Sequence, residues 1–340
     1  MHSARVRFGV IGVNHDHING MTSELLEAGA ELVGFHAAED DLATRYAARF
    51  DSARRVSSRD ALLDDPSIQL IATAGINNER GPLGVEVMRH GKDFLSDKPG
   101  FTSMDVLEEA RRVQRDTGSK FLIDFSERFR NPAMVKAAEL VSAGAIGRVL
   151  QTVGLGPHRL NAHTRPAWFY SREQSGGILT DIGSHQADHF LHFTGSTTAE
   201  VVASQVGNLA HPETPSLEDF GDALVRGNGG TGYFRLDWFT PGGLPVFGDG
   251  RLTILGTDGF IEVRKNIDLA GRSGPGHVFL VDQRSTQYVD CSQVELPFAH
   301  QLLNDVCNRT ETAMTQFHSF LAAELALRAE LEATRIGGEL

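Results

Sequence analysis

Along the first 125 residues, short apolar runs alternate with stretches whose apolar positions recur every three or four residues. That is the pattern of a parallel sheet with crossover helices. The runs cover residues 7–13, 31–36, 68–73, 93–96 and 121–125, and helices are expected between them at 22–28, 42–50, 84–90 and 104–117. In the last of these Val106, Ala110 and Val113 share one face, which is expected to pack on the sheet.

After Asn131-Pro132 a helix is expected to about residue 142, ending at Gly144. The pattern then changes to longer alternating strands. Phe234, Leu236 and Trp238 fall on one face of one such run, and Tyr233, Arg235 and Asp237 on the other, as in a half-buried antiparallel strand. Further strands are expected at 201–206, 223–226, 252–255, 260–264, 278–282 and 287–291, with a closing helix over 311–335. The reading is an α/β chain of two domains. Residues 1–125 form a Rossmann-type, doubly wound parallel sheet for a dinucleotide, and residues 126–340 an α+β domain on a large, open, mostly antiparallel sheet that binds substrate and pairs subunits. A length of 340 residues suits two cores, since single domains usually stop near about 150 to 200 residues.

Charge narrows the partners. With 44 acidic and 32 basic side chains the net charge is −12, which repels a phosphate backbone, so nucleic acid and anionic membrane are not expected. Cys291 and Cys307 have no metal-clamp spacing and offer no disulfide framework. The opening Met1-His2-Ser3-Ala4-Arg5-Val6-Arg7 leads directly into an apolar run, without the long hydrophobic stretch of a signal peptide. A soluble, cytoplasmic protein is expected, as a homodimer or homotetramer through the second-domain sheet.

The first run leads into Gly12-Val13-Asn14-His15-Asp16-His17-Ile18, where a dinucleotide-binding fold places its glycine-rich phosphate turn. Only the first glycine of G-x-G-x-x-G is kept. Asn14, which tolerates left-handed backbone, takes the second position and His17 the third. By itself this turn is equally a bare strand-to-helix connection. The acid that usually grips the ribose is displaced. His36 and Ala37 end the second strand, and Glu39, Asp40 and Asp41 follow as either a solvated loop or, through Glu39, a ribose contact.

Two motifs sharpen the picture: Ser96-Asp97-Lys98-Pro99, and Gly176-Gly177-Ile178-Leu179-Thr180-Asp181-Ile182-Gly183-Ser184-His185-Gln186-Ala187-Asp188. Together they resemble the Gfo/Idh/MocA family, which pairs a strand-end Glu-Lys-Pro with a Gly-Gly-Gly-x-Leu-x-Asp-x-Gly-x-His stretch. Asp97 stands where that family has Glu, and Ser175 precedes the two glycines. Glu127-Arg128-Phe129 with Pro132, Ala145-Ile146-Gly147-Arg148-Val149, Arg165-Pro166-Ala167-Trp168-Phe169 and Asn308-Arg309-Thr310-Glu311-Thr312 fit in order and spacing, so the resemblance runs over nearly the whole chain.

The resemblance implies an NAD(P)-dependent oxidoreductase moving a hydride between the nicotinamide and a secondary alcohol or ketone carbon of a sugar, cyclitol or related polyol. It implies that Lys98 lies between cofactor and substrate, that His185 is the acid/base and that Asp181 hydrogen-bonds the reacting region. Imidazole suits proton exchange at neutral pH. NAD is the expected cofactor, with NADP the alternative, held by Gly12, Asn14, His15, His17, His36, Glu39, Thr73, Asn77, Asp97 and Lys98. Substrate is expected at Glu127, Arg128, His158, Arg165, Trp168, Asp181 and His185, lining an interdomain cleft. Trp168 stacks on a sugar face or belongs to the core.

His158, His163, Asp181, His185, Asp188 and His189 have residue types that assemble zinc or manganese sites. Hydride transfer needs no metal, and none is expected. Two other functions fit the same motifs: a dinucleotide sensor without turnover, for which the eroded glycine turn argues, and an eliminase or isomerase that oxidises transiently and keeps its cofactor.

Overall fold

The computed structural model describes residues 5–337, so Met1 to Ala4, on which part of the N-terminal reading rests, lie outside the described residues. The chain forms two compact units. The first runs to Asp124 and takes back Pro297–Phe320; the second comprises Phe125–Leu296 and the chain from Leu321 onward. The segment Pro297–Phe320, read above as part of the second domain, therefore packs with the first.

The first unit holds β1 (Arg7–Ile11), β2 (Glu31–His36), β3 (Leu70–Thr73), β4 (Asp93–Asp97) and β5 (Phe121–Asp124) in the order β2-β1-β3-β4-β5, with every pair parallel. Helices His17–Glu27, Asp40–Arg49, Asn77–Arg89 and Met104–Thr117 make the crossovers. Nearly every strand position is buried, from Phe8 and Val10 to Leu122 and Ile123, because helices cover both faces of a doubly wound sheet. In helix Met104–Thr117 the buried stripe is Leu107, Ala110 and Val113. Leu107 takes the place expected of Val106, an i, i+3 alternative to the i, i+4 spacing; Val106 sits at the margin of that stripe.

The second unit is built on nine strands: β6 (Val149–Pro157), β7 (Ala199–Gly207), β8 (Phe220–Gly227), β9 (Gly230–Asp237), β10 (Arg251–Gly256), β11 (Gly259–Arg264), β12 (His277–Asp282), β13 (Thr286–Val289) and β14 (Thr334–Ile336). Their order is β13-β12-β11-β10-β6-β9-β8-β7-β14, antiparallel except for the pairs β6 with β9 and β14 with β7. One face carries Phe234, Leu236, Ile254, Ile261 and Val263, all buried. Helix Pro132–Ser142 lays Ala133, Met134 and Ala137 into the same core. Its start is local chemistry. Asn131 accepts from Ala133 N (3.0 Å) and Met134 N (3.3 Å), and Pro132 fills the first turn.

The expected closing helix over 311–335 is shorter, and a further helix that was not expected precedes it. Phe298–Asn308 is a helix, and Gln316–Leu331 is another. Between them the backbone wraps the buried Asp305 carboxylate, which accepts from Thr310 Oγ1, Thr312 N, Thr312 Oγ1 and Ala313 N at 2.6–2.9 Å. Those bonds hold the segment in a turn. Arg335 lies in β14 rather than in a helix. No helix among the described residues is long and apolar enough to cross a membrane.

Candidate active site

In the first unit the chain leaves β1 at Gly12, whose φ is +82°. A Cβ there would lie 2.9 Å from Gly75 Cα and 3.1 Å from Thr73 Oγ1, so glycine is required on two counts. Gly12 N donates to His36 O (3.0 Å), and His15 N donates to Ala74 O (2.8 Å). The turn is thus laced to the ends of β2 and β3. The strand order reverses between β1 and β3, the switch point at which open α/β sheets bind ligands. Thr73 Oγ1 accepts from Gly75 N at 3.1 Å, and buried Asn77 opens the next helix. Asn14 Nδ2 donates to Glu39 Oε1 at 2.9 Å, tying the phosphate turn to the loop after β2. The His36 ring lies 3.4 Å from Val56 O.

Asp97 and Lys98 close β4, both buried, and the Lys98-Pro99 bond is cis. His17 Nδ1 stands 2.9 Å from Asp97 Oδ1, His15 Nδ1 3.8 Å from Oδ2, and Arg80 Nη1 3.2 Å from Oδ2. Burial opposes ionisation of Asp97, but the charges of His17 and Arg80 hold its carboxyl well below the usual range. Burial, then His17, push the His15 imidazole well below its ordinary value. Arg80 is the residue the sequence hid. It is 1% exposed, and it donates from Nε to Gly75 O (2.8 Å) and from Nη1 to the carbonyls of Asp97 and Lys98. In sequence it is one charged residue in a first helical turn, where solvation is the ordinary expectation. His15, His17 and Asp97 also place ligand-type atoms within 4.8 Å of one another, a grouping of metal-ligand residue types whose carboxylate Arg80 and His17 already hold.

In the second unit, Gly176 and Gly177 both have φ +89°, and helix Ile178–Asp181 starts directly after them. Ile182 interrupts it, and helix Gly183–Thr194 follows. Asp181 N bonds Gly177 O at 2.8 Å, whereas His185 N bonds Ile182 O at 3.1 Å, a tightened three-residue step. Asp181 therefore ends one helical turn and His185 opens the next. His185 is 2% exposed, its ring edge-on to Phe125 (6.4 Å) and stacked over His189 (6.4 Å, 16°). Asp181 is half-buried, and its charge acts on Arg165.

Glu127 is ion-paired with Lys265, which is 2% exposed and backs against Gly250, where a Cβ would come 2.5 Å from Lys265 Cε. Burial works against the Glu127 charge, but Lys265, His185, His189 and His158 together hold it well below the usual carboxylate range. Burial, then the Lys265 charge, lower His189 to about 3, which leaves it neutral. Lys265 was not anticipated, and His189 was read only as a residue of metal-ligand type. A lysine just after a strand reads as solvated until the fold buries it.

The other expected substrate residues divide. Arg128 makes a two-pronged bond to buried Asp188, 2.7 Å on each side, so Asp188 is engaged in an ion pair. His158 packs edge-on to Trp238 (5.5 Å) and Phe247 (5.1 Å). The Arg165 guanidinium lies over Phe169 (4.6 Å) and Trp238 (4.9 Å) and donates to Leu160 O at 2.8 Å. Trp168 is half-buried on the short 3-10 helix Ala167–Tyr170, its ring 6.5 Å from Phe169. His163 is exposed.

Residues 134–262 match the model of the GFO/IDH/MocA C-terminal domain. A 1,5-anhydro-D-fructose reductase of Ensifer adhaerens is 25% identical over 320 residues, 92% of this chain and 87% of that protein. The structure of a candidate oxidoreductase from Erwinia carotovora atroseptica SCRI1043 superposes with a TM-score of 0.95 at 46% identity, over 98% of this chain and all (100%) of the other. A levoglucosan dehydrogenase solved with NADH and levoglucosan shares the fold, with a TM-score of 0.79 at 17% identity over 97% of this chain and 98% of that one.

Proposed function

Because the chain belongs to the Gfo/Idh/MocA family of oxidoreductases, we propose that it transfers a hydride between NAD(P) and a secondary alcohol or ketone carbon of a sugar, cyclitol or related polyol. The observation that carries this reading is the buried His185 in the first turn of helix Gly183–Thr194, directly after the short helix that two positive-φ glycines open and Asp181 ends.

The first unit fits a dinucleotide. Gly12 lets the chain turn tightly against Gly75 and Thr73 at the end of β1, and the switch-point edge gathers Asn14, His15, Thr73, Asn77, Asp97 and Lys98. When bound, the nicotinamide supplies the hydride acceptor or donor. Everything else falls to side chains. His185 takes the hydroxyl proton during oxidation and returns it during reduction; Asp181 orients the reacting hydroxyl; Lys98 steadies the developing carbonyl oxygen with its positive charge. The neutral Glu127–Lys265 pair and uncharged His189 suit a neutral polyol better than a carboxylate.

Two free cysteines support a reducing, cytoplasmic setting. A second copy covering the outward face of the nine-stranded sheet accounts for exposed Leu224, Leu255, Phe260 and Tyr288, and light scattering checks it. The activity test is a nicotinamide absorbance screen with both cofactors against levoglucosan, D-xylose, myo-inositol and 1,5-anhydro-D-fructose. Absence of turnover with all of them, and with wider polyol panels, sinks the reading.

A further inference from the structure

Gly177, just before Ile178, sits against a buried group that hydride transfer does not use. Glu218, just ahead of β8, and Glu330, on helix Gln316–Leu331, are 4% and 5% exposed. Glu218 Oε2 accepts from Ile178 N at 3.0 Å, and Glu330 Oε2 accepts from Leu179 N at 3.0 Å. These are the first two amides of the helix that ends in Asp181, groups a helix cannot satisfy internally. Arg172 joins the two acids, from Nε to Glu218 Oε1 (3.0 Å) and from Nη2 to Glu330 Oε1 (2.9 Å), and Arg335 of β14 adds a bond to Glu218 Oε1 (2.8 Å). A Cβ on Gly177 would fall onto the Glu330 carboxyl.

That contact gives Gly177 a second reason to be glycine besides its left-handed φ. Any side chain there would displace the Glu330 carboxyl from the Leu179 amide it holds. The glycine pair, two carboxyls from distant parts of the sequence and one bridging arginine therefore form a single clamp on the start of the motif helix.

We propose that Glu330, with Glu218 and Arg172, is a positioning residue for the reaction, clamping the amides of Ile178 and Leu179 so that Asp181 and His185 are held in their working places. This rests on the assignment of Asp181 and His185 above. Neither carboxyl group is bonded to those side chains; both act through the backbone that carries them. A displacement of about 1 Å in a reacting group lowers turnover by about a hundredfold, so loss of the clamp should act on kcat while leaving binding alone.

The test compares Glu330→Met with Glu330→Gln in the full chain. The amide keeps an acceptor for Leu179 N, and the thioether does not. With whichever of levoglucosan, D-xylose, myo-inositol or 1,5-anhydro-D-fructose the parent turns over, Glu330→Met is expected to lower kcat about thirtyfold, with KM and NADH affinity within about twofold, and Glu330→Gln to restore kcat to within about threefold. Equal kcat in parent and Glu330→Met, a loss carried by KM, or no difference between the two variants overturns the proposal. If Glu330→Met does not fold, Arg172→Met at its half-exposed position is read for the same kcat-only loss, and parental kcat there overturns it. If the parent turns over none of the four and nothing in a wider polyol panel, the activity assignment is what fails. The clamp is then read from the His185 imidazole NMR signals, which Glu330→Met shifts and Glu330→Gln restores; signals unmoved in both variants overturn it.

Discussion

Arg80 Nη1 lies 3.2 Å from Asp97 Oδ2, and each side chain is only 1% exposed. The same guanidinium holds the main-chain carbonyls of Gly75, Asp97 and Lys98, so one buried cation braces both the β3 exit and the strand end that carries Lys98. Removing Arg80 leaves the buried Asp97 charge with only part-exposed histidines to answer it. Arg80→Met is expected to cost about 3 to 5 kcal/mol in urea unfolding. Arg80→Met with Asp97→Asn should recover part of that loss, since no buried charge is then stranded. A single-variant cost below about 1 kcal/mol would show that the ion pair does not brace the turn.

His185→Ala and Lys98→Ala should each remain folded and lose about a hundredfold or more in turnover, the scale of a missing acid/base or oxyanion partner. Both side chains are nearly buried, so circular dichroism and melting must be read beside the kinetics. Activity within a few-fold of the parent in both variants would remove them from the chemistry.

How far the sequence foretold this arrangement depended on whether a feature is local. The cap at Asn131-Pro132 was legible because two adjacent residues make it, and the strand 230–237 because Phe234 and Leu236 alternate with Tyr233 and Arg235. Gly12 was legible as a turn that needs glycine. Arg80, Lys265 and Glu330 were not. Each is a charged residue in an ordinary helical or strand-end context, and its burial depends on partners far away: Asp97, Glu127, and Arg172 with the amide of Leu179. The return of Pro297–Phe320 to the first unit was equally hidden. Its anchors, Lys120 to Thr310 O and Phe121 N to Gln316, span about 190 residues of sequence.

His189 gives a pH prediction. Its imidazole is lowered from 6.5 to about 3, so the folded state resists a proton that the unfolded chain accepts. The associated stability is fully present above about 6.5 and is lost as pH falls toward 3. His189→Phe, close in shape, removes a ring whose two nitrogens are buried without hydrogen-bond partners. Between pH 6.5 and 5 the parent should lose about 2 kcal/mol more than this variant in urea unfolding, at about 1.4 kcal/mol per pH unit. Parallel pH profiles would mean that His189 is charged in the folded protein.

NAD should bind more tightly than NADP, and the reason lies in the partners of four acids and two arginines. Asn14 draws Glu39 to the phosphate turn, where it accepts a bond at 2.9 Å, and burial, then the Glu39 charge, raise the pKa of Glu79 on helix Asn77–Arg89. A 2′-phosphate brought to the end of β2 would meet these carboxylates, whereas a free 2′-hydroxyl could donate to one of them. The cation at that edge is Arg55, which bonds Ala37 O at 3.0 Å but is paired with Asp40 at 2.8 Å, so its charge is already answered. Arg45 is paired in turn with Asp41. Titration of both cofactors should therefore favour NADH by about tenfold, and Glu39→Gln should narrow the gap chiefly by strengthening NADPH, because repulsion is the larger part of the discrimination. The contrary result, NADPH bound as tightly as NADH in the parent and weakened by Arg55→Ala, would mean that Arg55 leaves Asp40 for the phosphate.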